Sequence, residues 1–171
     1  MRRILVLSGI MIFLLSSCRQ TYYIVRHAEK AIVTKDSAGM MVSNPPLSEA
    51  GKVRSFVLRD ELANKKIRHI YSTNFIRTIS TAEPLSKKNN ITIETYGLID
   101  TLVNRLKSIK GNVLIIGHSN TVDDIVNKIS GKKEIPEDLK DSDYDNLFIL
   151  KGKNGHYHFT RKKYGYPSNP E

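Results

Sequence analysis

Apolar positions along the chain alternate between short continuous runs and helical stripes. Residues 21–25, Thr-Tyr-Tyr-Ile-Val, form a β-branched and aromatic run of strand length. A turn-rich stretch then reaches Asn44-Pro45-Pro46. Beyond it, Ser48 can cap a helix in which Ala50, Val53, Val57, Leu58 and Leu62 form one apolar stripe. Residues 67–72 predict a second strand and residues 75–89 a second helix, which Pro84 should kink or shorten. Residues 91–96 read as a third strand. Asp100 can cap a following helix with Leu102, Leu106 and Ile109 inward. Val113 to Gly117 is a continuous apolar run, as expected of a central strand covered on both faces. A helix with Val122, Ile125, Val126 and Ile129 inward follows at once, and residues 146–151 and 157–163 predict a late hairpin around Asn154-Gly155. Alternating strands and helices predict an α/β fold with a mostly parallel sheet.

The N-terminus reads as an address. Met1-Arg2-Arg3 is a short basic segment, residues 4–15 carry no charge, and Leu15-Ser16-Ser17-Cys18 ends the run. The apolar stretch is short for a bilayer span but suits a signal peptide. Leu15-Ser16-Ser17-Cys18 resembles the bacterial lipobox. That resemblance implies removal of residues 1–17, lipidation of Cys18 and attachment of a single domain, residues 18–171, to a membrane of the cell envelope. Cys18 is the only cysteine, so no intramolecular disulfide competes for it. Arg19, where an aspartate resembles an inner-membrane retention signal in enteric bacteria, favours the outer membrane.

The formal charge is +10. Such an excess favours anionic partners. The lysines are dispersed, as at Lys87-Lys88 and Lys132-Lys133, with no zinc-ligand cluster, basic heptad helix or aromatic-basic strand motif. This argues against nucleic acid and for a solvated basic surface. Apart from His156-x-His158, the five histidines lack close ligand spacing, so no metal site is expected.

Chemistry gathers where the predicted strands end. Arg26-His27 ends the first, Ser72 ends the second with Arg77 five residues on, and Gly117-His118-Ser119 ends the central one. Ligands in open α/β sheets bind outside the carboxyl ends of the strands. Arg77 falls in the first turn of a helix, where a cation opposes the macrodipole unless an anion sits between them. Its planar fork also suits phosphate oxygens.

Val25-Arg26-His27-Ala28-Glu29-Lys30 resembles the Arg-His-Gly signature of the histidine phosphatase superfamily, the phosphoglycerate mutase-like family. Leu47-Ser48-Glu49-Ala50-Gly51 with Arg54 resembles its Leu-Thr-x-x-Gly-x-x-Arg helix start. Residues 72–82 resemble its Ser-x-x-x-x-Arg-x-x-x-Thr-Ala element, and Gly117-His118-Ser119 its second histidine motif. Together and in order, these cover nearly the whole chain beyond Cys18. Ala28 stands where the family has glycine, but no catalytic atom comes from that side chain.

The resemblance implies a three-layer α/β/α sandwich and phosphatase activity without metal or other cofactor. His27 would attack phosphorus to form a phosphohistidine. Arg26 and Arg77 would clamp the non-bridging oxygens, and His118 would donate to the same group. Arg26 could instead be a structural ion-pair partner. The general acid stays open among Glu29, Glu94 and Asp100. The substrate would be a small phosphorylated molecule. Two rival readings are a phosphoglycerate mutase-like phosphotransferase and a non-catalytic lipoprotein that binds a phosphorylated ligand.

Overall fold

A computed structural model describes residues 20–32, 43–153 and 155–168. The expected signal segment, Cys18 and Asn154 lie outside the described residues. Six strands form one sheet: β1 (Gln20–Arg26), β2 (Ile67–Ser72), β3 (Ile93–Thr95), β4 (Asn112–Gly117), β5 (Asn146–Lys153) and β6 (His156–Lys163). Among the described residues four helices accompany them: α1 (Glu49–Leu62), α2 (Ile76–Asn89), α3 (Ile99–Leu106) and α4 (Val122–Ser130). The strand order is β3-β2-β4-β1-β5-β6. The first four in that order pair in parallel; β5 and β6 add an antiparallel edge. Among the described residues no helix is long and apolar enough to cross a membrane.

Strand alternation splits the core between the two sheet faces. Tyr22, Ile24, Val113 and Ile115 pack with Leu102 and Leu106 of α3 and with Val122, Ile125 and Val126 of α4. Tyr23, Val25, Leu114 and Ile116 pack with Leu58 and Leu62 of α1 and with Ala82 and Leu85 of α2. The result is the expected three-layer sandwich. Because α1 leaves β1 for one face and α4 leaves β4 for the other, the adjacent ends of β1 and β4 form a switch point, where open α/β sheets carry ligands.

Several local expectations change. α1 buries Gly51, Arg54, Ser55, Leu58 and Leu62, so Ala50 and Val53 of the predicted stripe face outward, while Val57 is half-buried and packs against the core as predicted. The inward face is turned by Arg54, whose ion pair and close backbone neighbours outweigh hydrophobic periodicity. α2 runs through Pro84 to Asn89 and is not shortened. The third strand keeps only Ile93–Thr95 of the predicted run. Leu98, not Asp100, is the N-cap of α3; Asp100 sits in its first turn, and Ile109 lies beyond its end while still packing on the core.

Candidate active site

Register brings the predicted residues level. Arg26 pairs with Gly117 across β1 and β4, and Ser72 pairs with Ile116 across β2 and β4. The residues that follow, His27, Thr73 and His118, therefore leave three neighbouring strands at the same edge. His27 N–H donates to Gly117 O at 2.9 Å, which ties the two histidine turns together. The ring centroids of His27 and His118 are 5.4 Å apart, edge to face.

The chain around His27 is fixed by motif residues. Ala28 N–H donates to Thr81 Oγ1 at 2.9 Å, and Thr81 Oγ1 donates to Arg77 O at 2.7 Å. Glu29 O accepts from Ser48 N at 2.9 Å. Ser48 also caps α1 through its Oγ, which accepts from Gly51 N at 3.1 Å. A Cβ on Gly51 would stand 2.2 Å from Glu29 O, so only glycine permits this approach. Arg54, 5% exposed, grips the Glu29 carboxylate with Nε at 2.8 Å and Nη2 at 2.6 Å. It also donates to Tyr164 O and Tyr166 O, binding the C-terminal segment to the same turn.

His27 is 3% exposed, and its Nδ1 lies 2.8 Å from Ala28 O. A carbonyl only accepts, so Nδ1 carries the proton and Nε2 keeps its lone pair. Burial pushes the imidazole down to about 3, against the opposing Ala28 bond and with help from Arg26, Arg77 and His118. Burial, Arg77 and Arg26 likewise lower His118 to about 4. Both rings are neutral at pH 7.

His118 has partners on both nitrogens. Arg77 Nη2 lies 3.4 Å from Nδ1, and Nε2 lies 2.9 Å from Thr73 Oγ1. The guanidinium only donates, so Nε2 carries the proton and gives it to Thr73. Thr73 Oγ1 in turn donates to Thr78 Oγ1 at 3.0 Å. Phase-setting contacts of this kind fix the tautomer of a site histidine.

The two arginines differ in what they leave unpaired. Arg26, 2% exposed, spends Nη1 on Lys140 O and Asp141 O at 2.8 and 2.9 Å. Its Nη2 reaches Asp141 Oδ1 at 3.2 Å and Tyr144 Oη at 3.4 Å. Its Nε, with Nε and Nη1 of Arg77, is buried without a hydrogen-bond partner among the described residues. Burial and the Arg26 charge pull Arg77 below its ordinary value. Buried donors of this kind are costly unless something accepts from them, and an anion beside His27 would.

All four sequence-predicted residues thus meet, whereas the three candidate acids do not join them. Glu29 is held by Arg54, Glu94 by Arg105, and Asp100 by Lys128. Sequence reasoning missed Tyr144, Asp141, Thr73 and Thr78. The polar stretch before β5 showed no periodicity to mark the first two. Among the described residues no set of three His, Cys, Asp or Glu side chains gathers as a metal-ligand group.

Residues 22–100 match the model of the histidine phosphatase superfamily (branch 1). Over this stretch the chain carries the sequence pattern of the histidine phosphatase superfamily, and the sandwich with its strand-end histidines is consistent with that match. Among solved structures, the protein histidine phosphatase SixA complexed with tungstate is similar, with TM-score 0.66 and 18% identity over 84% of this chain and 96% of that one. Phosphoglycerate mutase from Bacillus anthracis gives 0.62 and 14% over 84% and 92%. Bacillus stearothermophilus YhfR gives 0.57 and 17% over 81% and 94%. At these identities the likeness concerns the fold. No curated protein sequence matches the chain.

Proposed function

We propose that this protein is a phosphatase that hydrolyses phosphomonoesters without a metal, through a phosphohistidine intermediate on His27. One observation carries the reading: a neutral, buried His27 with its Nε2 lone pair free lies beside two arginines with three buried nitrogens that find no hydrogen-bond partner among the described residues. A tetrahedral dianion satisfies those donors. It also places phosphorus before the one ring nitrogen that can attack.

In the first step the bond from His27 Nε2 to phosphorus forms, the bond to the leaving oxygen breaks, and that oxygen takes up a proton from solvent. In the second, water attacks phosphorus and gives a proton back to solvent, the Nε2–phosphorus bond breaks, and phosphate leaves with His27 restored. Arg26 Nε and Arg77 oppose the charge on the equatorial oxygens. His118 spends its single N–H on Thr73, so it donates to the phosphoryl group only once a proton is drawn to Nδ1; the dianion favours that by raising its pKa. A neighbour of the same fold was captured with tungstate, a tetrahedral oxyanion, which supports a phosphoryl site here. The lipobox-like residues 15–18 support attachment at the bacterial cell envelope through Cys18, with small phosphorylated molecules as substrates.

The test is release of para-nitrophenol from para-nitrophenyl phosphate with chelator present, beside His27→Ala. Turnover that resists chelator and vanishes in the variant is expected. Turnover that survives His27→Ala overturns the mechanism. Phosphate binding without turnover favours the ligand-binding lipoprotein.

A further inference from the structure

Among the described residues, α1 turns part of its apolar stripe away from the core. Ala50 and Val53 are exposed and Val57 is half-buried. With Tyr144, Tyr166 and Pro167 they line a groove of about 810 Å³. The same groove reaches Glu29, two residues beyond His27, and Asp141, which pairs with Arg26. Tyr144 lines the groove, and its ring centroid is 5.9 Å from that of His27, so groove and nucleophile flank the same ring.

Most of the polar groups in the groove are held by partners, with the exposed Lys30 at its rim the exception. Glu29 is gripped by Arg54, Asp141 by Arg26, and Ser168 Oγ accepts from Tyr144 N. What the groove offers a ligand is therefore mostly apolar and aromatic surface, in a volume ordinary for small-molecule sites. A second observation points the same way. Each carboxylate considered as general acid is tied to a cation, so leaving groups that depart with little protonation are favoured. Phenols meet both demands, because an aromatic ring is apolar and stabilises the departing oxygen.

Resting on the phosphatase reading above, we propose that this groove receives the leaving group and that the preferred substrates are aryl phosphomonoesters. The ring lies along Val53 and Tyr166 while the phosphoryl group sits between His27 and the two arginines.

The test compares the intact protein with Val53→Asp and Tyr166→Ala on two substrates, 2-naphthyl phosphate and acetyl phosphate. The second has a good leaving group but no ring to fill the groove. Both substituted side chains are substantially exposed, at 50% and 78%, so folding is spared. Each variant is expected to raise KM for 2-naphthyl phosphate roughly five- to tenfold through lost apolar contact. Hydrolysis of acetyl phosphate should stay within about twofold, since P–O cleavage itself is untouched. Equal effects on both substrates, or none on either while both are turned over, overturn the groove assignment. Turnover of neither substrate by the unaltered protein removes the phosphatase reading, and this inference with it.

Discussion

The guanidinium carbon of Arg26 lies 4.1 Å from the centroid of the Tyr144 ring, although 118 residues separate them. The ring supports the cation from below while Lys140 O and Asp141 O hold its Nη1. The polar loop before β5 is thus the mount for an arginine that starts from β1.

Removing that mount should weaken the phosphoryl clamp without touching the nucleophile. A cation–π contact of this kind contributes about 0.5–2 kcal/mol. Tyr144→Ala should therefore lower kcat/KM for a small substrate such as acetyl phosphate by about three- to thirtyfold. Tyr144→Phe, which keeps the ring and loses only the long 3.4 Å hydroxyl contact, should stay within about threefold. Equal losses in the two variants would show that the hydroxyl, not the ring, matters.

Glu29 serves as a strut, not as an acid, if its carboxylate stays on Arg54. Glu29→Gln leaves a buried guanidinium without its counter-charge, which costs about 3 kcal/mol. The expected outcome is a clear fall in Tm with kcat preserved within a few-fold below the transition. A collapse of kcat with Tm unchanged would assign Glu29 the proton-donor role.

Gly51→Ala should destabilise the same turn from the other side. The added methyl meets a backbone oxygen, not a flexible side-chain tip, so α1 and the His27 turn must separate. Overpacking of this order costs about 1–3 kcal/mol. Thermal unfolding should move down by roughly 3–10 °C.

Much of this was legible in the sequence, and the remainder failed for identifiable reasons. The apolar runs at residues 21–25 and 113–117 marked β1 and β4, because strands covered on both faces need apolar residues throughout. The motif residues marked the strand ends, since their spacing is local. α1 misled because Arg54 takes an inward position through an ion pair to a residue 25 positions away, turning Ala50 and Val53 outward. Tyr144 was invisible for a similar reason: its role depends on a residue 118 positions earlier, brought near by the pairing of β5 with β1, and nothing in its neighbourhood repeats. Asp100 has the chemistry of a cap, but α3 begins one residue earlier, at Leu98's carboxyl side.

The two site histidines should make the protein acid-sensitive. Each is held below its ordinary value of 6.5, His27 at about 3 and His118 at about 4. Below pH 6.5 the unfolded chain takes up protons that the folded rings refuse, so stability is full above 6.5 and declines as pH falls toward 4. At pH 5 each ring should cost roughly 2 kcal/mol relative to pH 7.5. Denaturant midpoints measured across this range should slope less in His27→Asn and His118→Asn. Slopes identical to that of the unaltered protein would show that neither ring is held neutral by the fold.

The most direct measurement is of the covalent intermediate. The protein is mixed with acetyl phosphate, quenched in alkali within milliseconds to preserve phosphohistidine, digested and mapped by mass spectrometry. A phosphoryl group on His27, absent after brief acid treatment and absent in His27→Ala, is the predicted result. Rapid hydrolysis with no phosphoryl group on His27, or a phosphoryl group on His118 instead, would contradict the account.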